Sequence, residues 1–220
     1  YAAMNPQALE AADQELVNSL TPSTVPSFTT EQVAAWSTRV VRSLETQDLA
    51  ALTSSQVQAL TTAQVQALTT AQIQALTTAQ VAALESQDFA ALSNAQLVAL
   101  TTAQAAALTN GQLAALSTAQ IRALEVVDLA ALSSSHIAAL STAQIEALTA
   151  AQIQGLTTAQ AAALTADQVI ALTTAQIRAM ETADLAALGA DQVSAIQTED
   201  LLALTNEQDR KSIRLNSSHV

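Results

Sequence analysis

Residues 68–83 read Leu-Thr-Thr-Ala-Gln-Ile-Gln-Ala-Leu-Thr-Thr-Ala-Gln-Val-Ala-Ala, which is one eight-residue pattern written twice. Outward from this stretch, a large apolar residue recurs at every eighth position from Phe28 to Leu204, without insertion or deletion, which gives 23 repeat starts. We number each octad from this apolar residue as position one. Position two is Thr or Ser in 17 octads, and position five is Gln in 16. An unbroken register of this length indicates that every octad occupies a similar environment.

Each octad carries the signals of a helix start. Thr69 and Gln72 have the spacing of a capping box, in which the Thr hydroxyl accepts from the backbone N–H three residues later and the Gln side chain accepts from the Thr N–H. Leu68 and Ile73 stand at the positions of a hydrophobic staple around this box. Because the next cap follows at Thr77, the helix has room for fewer than two turns.

Two other architectures fit the pattern less well. In one continuous α-helix the position-one residues would drift around the axis by about 80° per octad, so no apolar stripe would form. A β-solenoid is disfavoured because Ala, Gln and Leu are poor strand formers and Ile or Val fills only one position in eight. Helices this short are unstable alone in water, so stacked neighbours must stabilise them. We predict an all-α solenoid of very short helices, one per octad, with the number of octads per coil left open.

The sequence divides into three segments. Residues 1–27 predict an N-terminal helical capping segment, with an amphipathic helix at about Pro6–Leu20 followed by a turn. Residues 28–208 form the octapeptide-repeat α-solenoid. In the non-repeat tail, residues 209–220, Asp-Arg-Lys-Ser resembles the translation of a common sequencing adapter, followed by what looks like read-through at the end of an environmental (metagenomic) sequence assembly. We predict that this tail is not native.

Five octads have Asp at position five, and none of them has Thr or Ser at position two. We call them Asp units; their residues at positions two and five are Glu45 and Asp48, Glu85 and Asp88, Glu125 and Asp128, Glu181 and Asp184, and Gln197 and Asp200. Because Glu caps a helix poorly, we expect either that position three caps instead, as Thr46 or Ser86 would, or that the preceding helix continues and Asp begins the next. We interpret these units as bends or phase markers of the superhelix, with duplication of five-octad blocks as the alternative. Two carboxylates per unit are too few for a calcium site, which needs about six oxygen ligands.

The composition argues against enzymatic chemistry. There is no Cys and there are two His residues, so a metal site or a catalytic triad has almost no material. We therefore assign no catalytic, cofactor-binding or metal-binding residue and expect no cofactor. His136 is expected to fill the place of a position-five Gln, and Phe28 and Trp36 to cover the open end of the core. The net charge of −12 argues against binding to nucleic acid, and no apolar run is long enough to span a membrane.

The pattern Leu-Thr-x-x-Gln-Ile-x-Ala-Leu over residues 28–208 resembles long Thr/Ala/Gln-rich octapeptide tracts of large bacterial secreted or surface proteins. The resemblance implies a structural protein, of unknown activity, at the cell surface or outside the cell. We therefore expect a non-enzymatic structural or spacer domain of a larger bacterial protein.

The alternative is a binding module that uses a regular Thr/Gln face. Thr62, Thr70 and Thr78 lie next to the capping threonines, so a solenoid would display their hydroxyl and methyl groups in regular rows. Such a face suggests ice, a protein partner or a second copy of the chain as ligand.

Overall fold

The computed structural model describes residues 6–197, 201, 202 and 204, and for residues 6–11 the backbone alone. The predicted non-native tail at 209–220 lies outside these residues. Between Pro6 and Ala195 the chain forms α-helices and one 3-10 turn, Val25–Ser27, and the described part of the chain contains no β-strand. The helices are α1 Pro6–Ser19, α2 Thr30–Ala34, α3 Thr38–Ser43, α4 Thr46–Ala51, α5 Ser54–Gln58, α6 Thr62–Ala67, α7 Thr70–Ala75, α8 Thr78–Ala83, α9 Ser86–Ala90, α10 Asn94–Val98, α11 Thr102–Ala106, α12 Asn110–Ala115, α13 Thr118–Ala123, α14 Val126–Ala131, α15 Ser134–Ala138, α16 Thr142–Ala147, α17 Ala150–Gln154, α18 Thr158–Ala162, α19 Ala166–Ile170, α20 Thr174–Ala179, α21 Thr182–Ala186 and α22 Ala190–Ala195. The predicted all-α solenoid, with one short helix per octad, is confirmed.

Helix α7 shows how one octad folds. Its N-cap, Thr69, has an extended backbone, and its side-chain oxygen accepts a hydrogen bond from the N–H of Gln72. The helix ends when Leu76 returns to an extended conformation (φ −60°, ψ 138°) and Thr77 caps the next helix. The corner between two helices is therefore made by an apolar residue and a hydroxyl residue, without Gly or Pro.

The helices stack in columns, and each helix packs on the one three octads away. The described part of the chain forms two compact units, the first ending at Ala107 and the second beginning at Leu108. In the first unit the columns are α1–α3–α6–α9, α2–α5–α8–α11 and the 3-10 turn followed by α4–α7–α10. In the second unit they are α12–α15–α18–α21, α13–α16–α19–α22 and α14–α17–α20. One coil of the solenoid therefore contains three octads, a number that the repeat pattern alone left open.

The core of each coil is built from two apolar positions of the octad. Position six is almost fully buried, as at Ile73 (0% exposed), and position one is nearly so, as at Leu76 (4% exposed). Position eight, as at Ala75, is half-buried, whereas positions four and seven are exposed at Ala71 and Gln74. Because only two large side chains per octad face inward, the core is thin and depends on stacking for its enclosure.

The N-terminal segment packs against the first repeats. Helix α1 lies at the head of the column that contains α3, and the carboxylate of its Asp13 accepts a hydrogen bond from the Ser37 hydroxyl (2.6 Å). Asp13 is buried by this contact.

The Asp units correct one expectation from the sequence. Glu45, Glu85, Glu125 and Glu181 all occupy the N-cap position with extended backbone, although none makes a side-chain capping bond. The helix that follows begins at position three, as it does after Thr or Ser. Neither a shift of the cap to Thr46 or Ser86 nor a continuation of the preceding helix takes place. The stacked neighbours therefore set the helix start even where the local capping signal is missing.

Gly155 occupies a position that most octads fill with Ala, and a steric contact explains the difference. A Cβ on Gly155 would lie 2.2 Å from Cγ1 of Val126, which is at position three of the helix below in the same column. Val is restricted to one χ1 rotamer in a helix, so it has little freedom to rotate away. The glycine thus accommodates a branched side chain that stands where other octads have Thr, Ser, Asn or Ala.

We expect Gly155→Ala to lower the free energy of unfolding by about 1–3 kcal/mol, because it overpacks a fixed contact. Chemical denaturation of the two proteins measures this. The double variant Gly155→Ala with Val126→Ser should recover most of the loss. Ser54 and Ala83 stand in the same relative positions on α5 and α8, so a Ser at position three tolerates an Ala at position eight of the helix stacked on it. If Val126→Ser leaves the cost of the alanine unchanged, the steric explanation is wrong.

Candidate functional site

The Gln at position five makes hydrogen bonds both within its own octad and to the preceding coil, and Gln72 illustrates this. Its Oε1 accepts a hydrogen bond from the backbone N–H of Thr69 at 2.8 Å, which completes the predicted capping box. Its Nε2 donates to the backbone carbonyls of Val41 and Leu44, both at 2.9 Å, in the preceding coil. One amide group therefore bonds the start of its own helix and the end of a helix one coil away.

The same pair of cross-coil bonds recurs through both units. The acceptors always lie 31 and 28 residues before the Gln, at position six of one octad and position one of the next. We call this set the Gln ladder; it comprises Gln56, Gln64, Gln72, Gln80, Gln96 and Gln104 in the first unit and Gln144, Gln152, Gln160, Gln168, Gln176 and Gln192 in the second.

The ladder amides are buried polar groups with all their partners inside the protein. Gln72 is 2% exposed and Gln64 is 1% exposed. Carbonyls at helix C-termini lack a full set of backbone partners, and the ladder supplies donors to them; the Val41 carbonyl accepts from the Leu44 N–H as well as from Gln72. Removing a ladder amide takes a bond from buried partners such as the Leu44 carbonyl and the Thr69 N–H, and each group left unsatisfied costs about 1–3 kcal/mol.

Sequence reasoning assigned Gln only the capping role and missed the cross-coil bonds. A signal for them was present. Glu and Gln serve equally at this place in a capping box, yet none of the 23 octads has Glu at position five. A carboxylate can accept from the N-cap N–H but has no proton to donate onward. The absence of Glu at position five thus indicates that this position requires the NH₂ group of an amide as a hydrogen-bond donor.

His136 takes the place of Gln in its octad, as expected. Its Nδ1 accepts a hydrogen bond from the Ser133 N–H at 3.2 Å, and the His136 N–H donates to the Ser133 hydroxyl, so the capping box is complete. This bond requires a neutral ring with its proton on Nε2. Burial lowers the pKa of His136, which favours the neutral form.

Two Asp units replace the amide bond by a hydroxyl bond of opposite direction. The Thr158 hydroxyl donates to Oδ1 of Asp184 at 2.8 Å, and Thr62 donates to Asp88 in the same way. In both cases the Thr is at position three of the helix below in the column. The carboxylate is the acceptor across the coils, whereas a ladder Gln is the donor.

Phe28 and Trp36, predicted to cover an end of the core, stand at two successive corners of the first repeats. Their rings meet edge to face with centroids 5.4 Å apart. Trp36 is buried, and a shallow depression of about 200 Å³ beside the two rings is lined also by Leu16 of α1.

The threonines at position three of successive octads do not form the regular row that the repeat pattern suggests. Thr62, Thr70 and Thr78 belong to α6, α7 and α8, which lie in three different columns, so they do not form one row. A continuous array does occur in the column α2–α5–α8–α11. We call it the Thr side; its hydroxyl residues at positions two and three are Thr29, Thr30, Thr53, Ser54, Thr77, Thr78, Thr101 and Thr102.

Residues that could support metal chemistry do not cluster in the described part of the chain. Within residues 6–197, no group of three or more His, Asp or Glu side chains is placed to share a metal ion. Nor does any helix there have the length and apolar character needed to cross a membrane.

Comparison with known proteins identifies the repeat. The sequence profile of the ALTTAQ repeat matches residues 41–78, 81–118, 106–141, 121–158, 142–174 and 170–198, which together make up more than half of the chain. The chain belongs to the ALTTAQ repeat family. The match confirms that this region is a repeat tract. A search of curated proteins finds no match.

The capping role within the ALTTAQ repeat is tested by two neighbouring residues of the same type. We expect Thr69→Ala to cost about 1 kcal/mol, because it removes the acceptor for the Gln72 N–H. Thr70→Ala should be near neutral, since Thr70 is an exposed first-turn residue and Ala is the better helix former. Urea denaturation of both variants measures the difference. A larger loss at Thr70 would place the cap one residue later and contradict the structure.

The His136 octad should make stability depend on pH. Because burial lowers the folded-state pKa of His136 below 6.5, the folded protein binds this proton less tightly than the unfolded chain does. The stabilisation from the neutral ring is therefore present above pH 6.5 and is lost as the pH falls through the folded-state pKa. We expect His136→Gln to remove this part of the pH dependence, as measured by denaturation between pH 7.5 and 5. Identical pH profiles for the two proteins would refute this role of the ring.

Proposed function

We propose that this ALTTAQ repeat tract is a non-enzymatic spacer that holds other domains of a larger bacterial extracellular protein apart. The observation that carries the proposal is the Gln ladder, since within each of the two units it bonds successive coils by the same buried contact at twelve positions. An element built from such repeated junctions gains length coil by coil without changing its cross-section. Length is the property that a spacer must supply.

The outer surface of the repeats supports this proposal. Positions two, three, four and seven carry mostly Thr, Ser, Ala and Gln, and charged residues make up 12% of the sequence. A surface of this kind offers no cluster of basic residues for nucleic acid. The positions that change most along the chain lie outside the core, as expected where selection acts on length and stacking.

Spacing is tested by measuring a distance along one column of the first unit. The chain has no Cys, so Glu31→Cys and Ala103→Cys place unique spin labels at exposed position four of α2 and α11. These helices are three stacking steps apart, which predicts a separation of about 25–30 Å at 8–10 Å per step. Deleting residues 60–83, one coil, should shorten it by about one step without broadening the distribution. A broad distribution that does not respond to the deletion would contradict a rigid spacer.

A second candidate function, binding to ice or to a protein partner, is supported by the Thr side. Along this column the residues at positions two and three are exposed in four successive coils, apart from the half-buried Thr30. The other two columns of the first unit are interrupted at position two by Glu45 and Glu85. A regular array of hydroxyl and methyl groups on a repetitive scaffold is suited to a repetitive ligand, and ice is such a ligand.

Thermal hysteresis of the purified chain tests ice binding. Thr78→Lys lies on the Thr side, whereas Thr70→Lys makes the same change at the same octad position in another column. Ice binding predicts hysteresis that the first substitution abolishes and the second preserves. Absence of hysteresis in the unmodified chain removes ice as a ligand and leaves the spacer proposal unaffected.

A further inference from the structure

The Asp units place a carboxylate where the other octads bury an amide. Asp48, Asp88 and Asp184 are 5%, 7% and 3% exposed, so they are as enclosed as the ladder Gln residues. Burial disfavours the charged form of a carboxyl group and favours the protonated one. The fold therefore holds Asp48 and Asp184 in an environment that opposes their ionisation.

The hydrogen bonding at Asp184 changes with its protonation state. In the ionised form Asp184 can only accept, as it does from the Thr158 hydroxyl at 2.8 Å. The ladder bonds that a Gln would donate to the preceding coil are absent from this junction while the carboxylate is charged. On protonation the carboxyl group gains an O–H donor and loses the cost of a buried charge, and Thr158 retains an acceptor oxygen.

A second acidic group adds to the effect. Glu181 is the N-cap residue of the same helix and makes no side-chain capping bond there. Burial raises the pKa of Asp184, and the nearby Glu181 carboxylate raises it further, whereas the bond from Thr158 lowers it. Asp48 shows the same pattern, since burial and then Glu45 raise its pKa and the backbone N–H of Glu45 lowers it. In these two units the Glu at position two therefore raises the pKa of the Asp at position five.

The described helices that pack on α21 and α4 bring no charged residue of their own to these groups. Helix α21 packs on α18, whose residues Thr158–Ala162 include no charged side chain. Helix α4 packs on the 3-10 turn Val25–Ser27 and on α7, which are also uncharged. Arg178, at the end of α20, lies three residues before Glu181 and is the nearest basic residue in sequence to Asp184.

We propose that the Asp units of Asp48 and Asp184 are acid-responsive junctions of the solenoid, at which loss of the carboxylate charge strengthens the stacking of one coil on the next. This inference does not depend on the spacer function. Because the folded state binds the Asp184 proton more tightly than the unfolded chain, the contribution of Asp184 to the free energy of unfolding rises as the pH falls from neutral through its folded-state pKa. The gain is complete below the ordinary Asp value of 3.8. The Gln ladder is uncharged and does not take part.

The test compares Asp184→Asn with Asp167→Asn in the full chain. The first substitution removes the buried charge and keeps the shape of the side chain. Asp167 is an exposed acidic residue at position four of α19, so its substitution controls for net charge. We expect the unfolding equilibrium constant of Asp184→Asn at pH 7 to be several-fold lower than that of the unmodified chain. This difference should shrink as the pH falls and disappear below the ordinary Asp value of 3.8, where the gain from protonation is complete. The Asp167→Asn difference should stay small across the range.

A direct titration keeps the proposal testable if a variant is poorly folded. In a ¹³C-labelled full chain, the Cγ resonances of Asp48 and Asp184 should titrate above the ordinary Asp value of 3.8. In the Glu181→Gln variant the Asp184 midpoint should fall, and the Asp48 midpoint should not move. Either an Asp184 midpoint at or below the ordinary Asp value of 3.8, or a stability difference for Asp184→Asn that is the same at pH 7 and at about pH 3, would overturn the proposal.

Discussion

The buried Gln amide is the constraint on which the rest of this solenoid depends. A helix of five or six residues has more unpaired backbone groups at its ends than it has internal hydrogen bonds. One side chain addresses both ends, because Gln72 accepts from the N-cap of its own helix and donates to the C-terminal carbonyls of a helix in the preceding coil. The donor has partners only when a complete coil lies beneath it. Local capping and long-range stacking are therefore satisfied by the same atoms.

Several features of the repeat follow from this double role. The acceptors lie 28 and 31 residues back, so three octads per coil is the arrangement in which position five meets the corner of the coil below. The apolar residues at positions one and six enclose the core between these bonds. Positions that take no part in either network, such as Ala71 and Gln74, are exposed and free to vary. A low-complexity sequence can thus specify one structure, since every octad repeats the same small set of contacts.

The sequence predicts local structure here better than long-range structure. The capping box at Thr69 and Gln72 could be predicted directly, because its two partners are three residues apart. The spacing of successive boxes then predicted the helix length and the solenoid class. The partners of the cross-coil bonds could not be predicted in this way, because a repeat of identical octads offers many equivalent pairings and only the folded chain selects one. The same limit explains the wrong expectation for Glu45 and Glu85, whose helices start where stacked neighbours place them. Gly155 lacks a side chain because of Val126, which is 29 residues away, and no local rule connects those two positions.

The central claim is tested most directly by the free energy of unfolding of Gln72→Met compared with Gln74→Met. Met has a similar shape and helix propensity to Gln and introduces no charge, and the two positions lie on the same helix, one buried in the ladder and one exposed. Loss of the ladder bonds predicts a cost of about 2–4 kcal/mol for Gln72→Met, against a change within about 0.5 kcal/mol for Gln74→Met. Equal, small effects at the two positions would show that apolar packing alone holds the coils together, and would contradict the account.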